Sequence, residues 1–175
     1  VGSGLSGTYT SAQAAAGRFQ GAPAHLVDSQ GASLLTGLMV LKACELAEAA
    51  VPPEEIVARL NRMRDRSGVV ITVDVFDRLL ASGRVGRGRA LLGSMLHVKP
   101  ILGVNRAGKI YPLAKAVGRR RATEVLLDSV AAQIPEGARV RFGIVWVGHD
   151  DIVAPVREML QARYGKDVEI LTAPA

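Results

Sequence analysis

The chain is poor in the side chains that build metal centres and disulfides. It has one cysteine, Cys44, and three histidines, His25, His97 and His149, spread through 175 residues. A single cysteine excludes an intrachain disulfide and leaves no cysteine pair for a metal. The histidines have no ligand spacing, so we expect no metal site. Cys44 falls inside an apolar helical pattern, which predicts a small core residue.

Aromatic residues and long apolar runs are also scarce. Aromatic side chains make up 4% of the chain, which leaves few platforms for stacking nucleic-acid bases. Glycine, lysine or glutamate interrupts the longest apolar stretches, so we expect neither a signal peptide nor a membrane-spanning helix, but a soluble cytoplasmic protein. The sequence has no Gly-x-x-x-x-Gly-Lys-Ser/Thr motif, so it does not support ATP binding by this chain.

What the chain does have is apolar volume and positive charge. Hydrophobic residues make up 49% of it, which is enough for a real core, and its formal net charge is +6. That charge permits attraction to nucleic acid, anionic lipid or acidic protein surfaces without requiring any of them. Two basic clusters, 84–89 and 119–121, are open to three interpretations: a solvated surface, nucleic-acid contact, or docking to an acidic partner or its bound phosphates.

The opening segment, residues 1–15, combines glycines, hydroxyls and the start of a helix. Glycines alternate with hydroxyl side chains before an alanine-rich run: Gly2, Gly4 and Gly7 with Ser3, Ser6, Thr8 and Thr10. Glycines let a backbone approach a ligand closely, and a helix start presents N–H groups and a positive dipole end. The segment is therefore either a simple helix cap or a binding site for a carboxylate or phosphate group.

Hydrophobic periodicity predicts an α/β protein. We expect helices over 8–19, 34–50, 77–82, 119–134 and 150–164, with another opened by prolines 52 and 53, and strands over 24–28, 69–73, 98–104, 109–113, 140–147 and 168–171. Residues 105–108 are typical of a hairpin turn, so the strands beside them are expected to be antiparallel. Helix 34–50 is apolar nearly all round and needs cover on several sides, either as a core helix or as the wall of a ligand slot.

A change in sequence character near residue 67 predicts two domains. Residues 1–67 are interpreted as the remainder of an N-terminal, Rossmann-like parallel α/β domain. Residues 68–175 are interpreted as a second α/β domain with a mixed or antiparallel sheet. Because the first motif follows neither an initiator methionine nor a strand, we expect the chain to be a fragment that is incomplete at its N-terminus.

A series of segments resembles the DegV family in order and approximate spacing: Ser3-Gly-Leu-Ser-Gly-Thr-Tyr9, Asp28-Ser29 with Ala32-Ser33, Thr72-Val-Asp74, Leu79-Leu-Ala-Ser-Gly-Arg-Val-Gly86, Leu91-Leu-Gly93 and Lys99-Pro-Ile-Leu102. The resemblance implies a protein that binds one long-chain fatty acid between two α/β domains. It also implies a binding subunit, without its own enzymatic activity or cofactor, that presents the carboxylate to a partner fatty acid kinase in phospholipid metabolism.

This resemblance gives roles to particular residues. The opening segment becomes the carboxylate site, with Ser3, Ser6 and Thr8, and the basic residues Arg84 and Arg119 become contacts to the partner kinase or its phosphates. Walls of the acyl slot are expected from apolar side chains on the predicted helices and strand: Leu34, Leu38, Leu41, Leu91, Leu92, Met95, Leu96 and Ile101.

The chain departs from the family pattern in several places. Gly2 stands where family members commonly have a second serine, and Val117 stands where they have a basic residue. The family's earlier threonine loop and its closing His-x-Gly-Pro-Gly segment are not in this sequence. Two other functions therefore stay open: a basic nucleic-acid-binding module, and a serine hydrolase using Ser3 or Ser6, although no base is designated for either serine.

Overall fold

The computed structural model describes residues 1–85, 98–148 and 150–175. Within them, the helices are α1 (Thr8–Ala16), α2 (Leu34–Glu48), α3 (Pro53–Asp65), α4 (Phe76–Ala81), α5 (Arg119–Ala131) and α6 (Val153–Tyr164). The strands are β1 (Val70–Thr72), β2 (Val98–Val104), β3 (Ile110–Val117), β4 (Arg141–Trp146) and β5 (Glu169–Pro174). The predicted α/β class is confirmed.

Strands β1, β2 and β3 form an antiparallel sheet in that order, and the predicted hairpin joins β2 to β3. The Asn105 side chain organises the turn, because its Oδ1 accepts hydrogen bonds from the backbone N–H groups of Ala107 and Lys109, both at 3.0 Å. Gly108 completes the turn with a φ of 70°, a conformation that glycine adopts without strain. The hairpin turn, residues 105–108, is thus fixed by its own sequence.

The centre of this sheet is closed by α5. Ile101 on β2 has no exposed surface and packs with Ala116 on β3 and Ala122 on α5. The small alanines let the helix approach the strands closely, because they present only a methyl group at the contact. This cluster fixes the position of the hairpin relative to the rest of the molecule.

Strands β4 and β5 form a separate parallel pair. Side chains alternate along β4, so that Ile144 packs with residues of α5 and α6 while Gly143 lies on the other face, against Leu34 of α2. A Cβ at Gly143 would come within 3.0 Å of the Leu34 Cβ. Glycine at this position therefore lets the start of α2 rest directly on β4.

Two sequence-based predictions about the first 67 residues were wrong. Residues 24–28 form no strand, because they lie beside no neighbouring strand in the described part of the chain and their backbone finds no ladder to join. Cys44 is exposed rather than buried, together with Val40 and Leu41, because α2 presents this apolar face outward.

No helix in the described ranges is long and apolar enough to cross a lipid bilayer. The predicted domain boundary after residue 67 falls between α3 and β1. The contact of α2 with β4 crosses that boundary and joins the two parts of the chain.

Candidate functional site

The opening loop, residues 1–7, is held on one side by Asp28. This carboxylate accepts hydrogen bonds from the backbone N–H of Ser3 at 3.0 Å, from the Ser3 hydroxyl at 2.5 Å and from the Gln30 N–H at 2.9 Å. The N–H of Gly2 donates to the Gly31 carbonyl at 2.6 Å. The turn at residues 28–31, here called the Asp28 turn, therefore fixes both the backbone and the first hydroxyl of the opening loop.

These hydrogen bonds also decide the charge of Asp28. Partial burial raises its pKa, but the bonds from the Ser3 hydroxyl and from the N–H groups of Gln30 and Ser3, with the nearby Arg64 guanidinium, outweigh burial. The net result is that the pKa of Asp28 lies below its usual value. Asp28 is ionised at neutral pH and acts as an anchor for the loop.

Ser29 connects the Asp28 turn to α2. Its side chain is 3% exposed; its hydroxyl donates to the Gly31 carbonyl at 3.1 Å and accepts from the Thr36 hydroxyl at 3.1 Å. A buried hydroxyl with both donor and acceptor satisfied costs little to bury. The start of α2 and the opening loop are thereby held on the same turn.

The hairpin turn holds the other side of the opening loop. A Cβ placed on Gly4 would lie 2.0 Å from the Ala107 carbonyl oxygen, and one placed on Gly108 would lie 3.1 Å from the Gly4 nitrogen. The two backbones approach each other more closely than any side chain at Gly4 would allow. The opening loop is therefore clamped between the Asp28 turn and the hairpin turn, which lie on opposite sides of the predicted domain boundary.

A cavity of about 410 Å³ opens beside this clamp. It is lined by residues from three separate parts of the chain, namely the opening loop, the turn after α4 and the start of β3: Gly4, Leu5, Ser82, Gly83, Arg84 and Lys109. The Arg84 Nε donates to the Leu5 carbonyl at 3.2 Å, which orients the guanidinium toward the loop. We call this space the junction cavity.

The three predicted carboxylate contacts have different environments. Ser3 is exposed, but its hydroxyl already donates to Asp28. The hydroxyls of Ser6 and Thr8 lie 2.8 Å apart, and the N–H of Thr8 donates to the Ser6 oxygen at 3.2 Å. The structure therefore brings Ser6 and Thr8 together at the start of α1, while Ser3 is turned toward the Asp28 turn.

The predicted wall residues that the structure describes do not lie together. Leu34 packs against β4, Leu38 is buried, and Leu41 is 45% exposed on the outer face of α2. Ile101 belongs to the closed cluster under α5. The remaining predicted wall residues, Leu91, Leu92, Met95 and Leu96, lie outside the described residues, as does His149.

Arg119 lies in a charged cluster of its own. Its guanidinium is 3.0 Å from the Asp151 carboxylate and 3.9 Å from that of Asp74, which in turn lies 2.8 Å from the Lys99 ammonium. The hydrogen bond from Lys99, its charge and that of Arg119 outweigh partial desolvation and lower the pKa of Asp74. Arg84 lines the junction cavity instead, so the two predicted cationic contacts sit in different surroundings.

Sequence reasoning assigned no role to Asp28, Ser82 or Lys109. Asp28 and Ser82 occur in the segments that resemble the family, so the resemblance could have marked them as candidates. Their contacts, however, join residues that are distant in the sequence and are visible only in the folded chain. Among the described residues, no group of three His, Cys, Asp or Glu side chains could hold a metal ion.

Comparisons with known proteins identify the family of this chain. A family model described as "Uncharacterised protein, DegV family" matches residues 1–175. A DegV domain-containing protein of Deinococcus radiodurans is 36% identical over 166 residues, which cover 94% of this chain and 58% of the relative. The chain thus spans less than two thirds of that relative's length.

Two solved structures share the fold. One, described as "Fatty Acid Binding of a DegV family Protein from Thermus thermophilus", is 34% identical with a TM-score of 0.87, over 99% of this chain and 61% of that one. The other, described as the crystal structure of "DegV, a fatty acid binding protein from Bacillus subtilis", is 30% identical with a TM-score of 0.79, again over 99% and 61%. Since the family model spans the whole chain and these relatives match nearly all of it, the chain belongs to the DegV family.

Proposed function

We propose that the protein binds a long-chain fatty acid, with its carboxylate at the opening loop and its tail between the parts formed by residues 1–67 and 68–175. The observation that carries this proposal is the clamped opening loop. Gly4 packs on the hairpin turn while Ser3 is hydrogen-bonded to Asp28. The hydroxyl-rich loop therefore lies where residues 1–67 meet residues 68–175. The two solved relatives described above as fatty acid binding add support.

The start of α1 has the chemistry that a carboxylate needs. The paired hydroxyls of Ser6 and Thr8 carry two O–H groups, and one can turn outward to donate to an anion. The N-terminus of α1, which begins at Thr8, adds free backbone N–H groups and the positive end of the helix dipole. In this proposal Ser3 holds the opening loop in place and does not itself donate to the carboxylate, because its hydroxyl already donates to Asp28.

The tail is proposed to lie along apolar side chains. On α2 these are Leu34, Leu38 and Leu41. Leu91, Leu92, Met95 and Leu96, which lie outside the described residues, stay candidates from the sequence, whereas Ile101 is fully buried in the cluster under α5 and is not proposed to contact the tail. Burial of apolar chain is worth about 0.8 kcal/mol per methylene, so a C14–C18 tail supplies ample affinity. No cofactor is needed for this role.

We also propose that the protein presents the bound carboxylate to a partner fatty acid kinase, which supplies the ATP chemistry in phospholipid metabolism. Arg84 and Arg119 are the proposed cationic contacts to the partner or its phosphates. The side chain of Arg119 is 59% exposed, and its ion pairs with Asp74 and Asp151 hold it at the surface. Such rim charges mainly steer association, so their loss should slow partner binding and make it less salt-dependent.

The test of fatty acid binding is extraction and mass spectrometry of the purified protein, followed by titration with a C16 fatty acid. Ser6→Ala is expected to weaken binding about 10-fold, because one charge-assisted hydrogen bond is lost. Thr10→Ala is the matched control, since Thr10 is exposed on α1 and has no side-chain hydrogen bond among the described residues. Absence of lipid from the wild-type extract, together with no binding in the titration, would contradict the proposal.

A further inference from the structure

Arg64, in the last turn of α3, is the most enclosed of the ion-paired side chains in the described ranges, with 19% of its surface exposed. Enclosing a charged group is unfavourable unless its N–H groups find acceptors. The Arg64 Nε donates to the Asp65 carboxylate at 2.9 Å, and one terminal nitrogen donates to the Asn61 side-chain oxygen at 2.9 Å. Both partners belong to α3 itself, so the helix fixes the direction in which the guanidinium points.

That direction is toward the Asp28 turn. The nitrogen that donates to Asn61 also donates to the Asp28 carbonyl oxygen at 3.4 Å, a long hydrogen bond between residues 36 positions apart. The charge of Arg64 also favours the ionised Asp28 carboxylate and contributes to its lowered pKa. Among the described residues, no other charged group contributes to that pKa. Arg64 therefore connects the end of α3 to both the backbone and the carboxylate of Asp28.

Asp28 passes this constraint on to the opening loop. Its carboxylate accepts hydrogen bonds from the hydroxyl and the backbone N–H of Ser3, and a protonated acid would be a weaker acceptor for both. A fatty acid carboxylate at the same loop brings a second negative charge near Asp28, and two neighbouring carboxylates favour protonation of one of them. The positive charge of Arg64 opposes that protonation, so the bonds that hold Ser3 persist when the ligand is bound.

We propose that Arg64 is a positioning residue for fatty acid binding. It acts through Asp28 to keep the opening loop in the conformation that receives the ligand carboxylate, and it is assigned no contact with the ligand. The inference rests on the proposed function and deepens it, because it extends the carboxylate site to a residue of α3.

A purely structural role for Arg64 can be separated from this one. A cation in the last turn of a helix is favoured by the helix dipole, whatever else it touches. Arg62 shares that advantage, since it lies in the same turn of α3, but it is exposed and forms no ion pair among the described residues. Arg62→Gln is therefore the matched control for Arg64→Gln.

The experiment is titration of the purified protein with a C16 fatty acid at pH 7. Arg64→Gln should weaken binding about 10-fold, whereas Arg62→Gln should bind like the wild type. Arg64→Lys keeps the positive charge but not the fork of N–H groups, and its affinity should lie within about 3-fold of the wild type. Arg64→Met removes the charge and keeps an apolar stem, so it repeats the test if the glutamine variant does not fold.

The same substitution in an Asp28→Asn background shows whether Arg64 acts through Asp28. We expect less than about a 3-fold further loss there, because the carboxylate that Arg64 supports is gone. Equal losses from Arg64→Gln in both backgrounds would overturn the inference, and so would Arg64→Lys binding as weakly as Arg64→Gln.

The wild-type protein separates this inference from the function on which it rests. Fatty acid binding by the wild type, with Arg64→Gln and Arg64→Met binding like Arg62→Gln, removes the role of Arg64 alone. A wild type that binds no fatty acid removes the proposed function itself.

Discussion

Replacing Gly4 with alanine is expected to destabilise the protein by about 3 kcal/mol and to abolish retention of fatty acid. The new methyl group would lie 2.0 Å from the Ala107 carbonyl oxygen, a backbone atom that the hairpin turn holds in place. Overpacking of this kind typically costs about 1–3 kcal/mol, and here the three nearest atoms are all backbone atoms of Ala107 and Gly108, so no side chain can move aside to relieve the clash. The opening loop must leave the hairpin turn, which opens the clamp. Chemical denaturation and lipid extraction measure the two effects.

Gly7→Ala is the matched control for this substitution. It adds the same methyl group to the same loop, but a Cβ at Gly7 meets nothing within 4 Å, and its φ of −65° suits alanine. We expect a change below about 1 kcal/mol and normal lipid content. If the Gly4 variant matched the Gly7 variant in stability and lipid content, the close approach of loop and hairpin would not be a feature of the protein in solution.

The parts of the fold that the sequence predicts well are those in which contacts are local. The hairpin is an example, since Asn105 and Gly108 build the turn within four residues. Helix α3 is another: Pro53 stands in its first turn, with acidic side chains beside it. In each case neighbouring residues along the chain decide the backbone conformation, so the amino-acid pattern is sufficient.

What the sequence could not give is the pairing of distant segments. The apolar run 24–28 fits a strand, but a strand needs a neighbour, and no local pattern shows whether one is present. Cys44 lies in a pattern typical of a core helix, yet which face of α2 is covered depends on where β4 packs. The same holds for the site. Ser3 was predicted as a ligand contact, whereas its hydroxyl donates to Asp28, a residue 25 positions away in the sequence.

Substitution of Asp28 is expected to cause the second large loss of stability, and the size of that loss depends on pH. Asp28→Asn is expected to destabilise the protein by about 2 kcal/mol at pH 7, because the Ser3 hydroxyl and two N–H groups lose a charged acceptor. The folded-state pKa of Asp28 lies below that of the unfolded chain, so its contribution to stability is fully present above an unfolded pKa of about 4. That contribution is lost as the pH falls through the folded pKa.

The free energy of unfolding of wild type and variant should therefore converge between about pH 5 and pH 2, the wild type losing more. Urea denaturation at a series of pH values measures this difference, in which the other carboxylates cancel because both proteins carry them. Asp167→Asn is the control, since Asp167 is exposed and forms no ion pair among the described residues; its stability should run parallel to the wild type. A gap between wild type and Asp28→Asn that stayed constant down to pH 2 would mean that the charge of Asp28 does not anchor the opening loop.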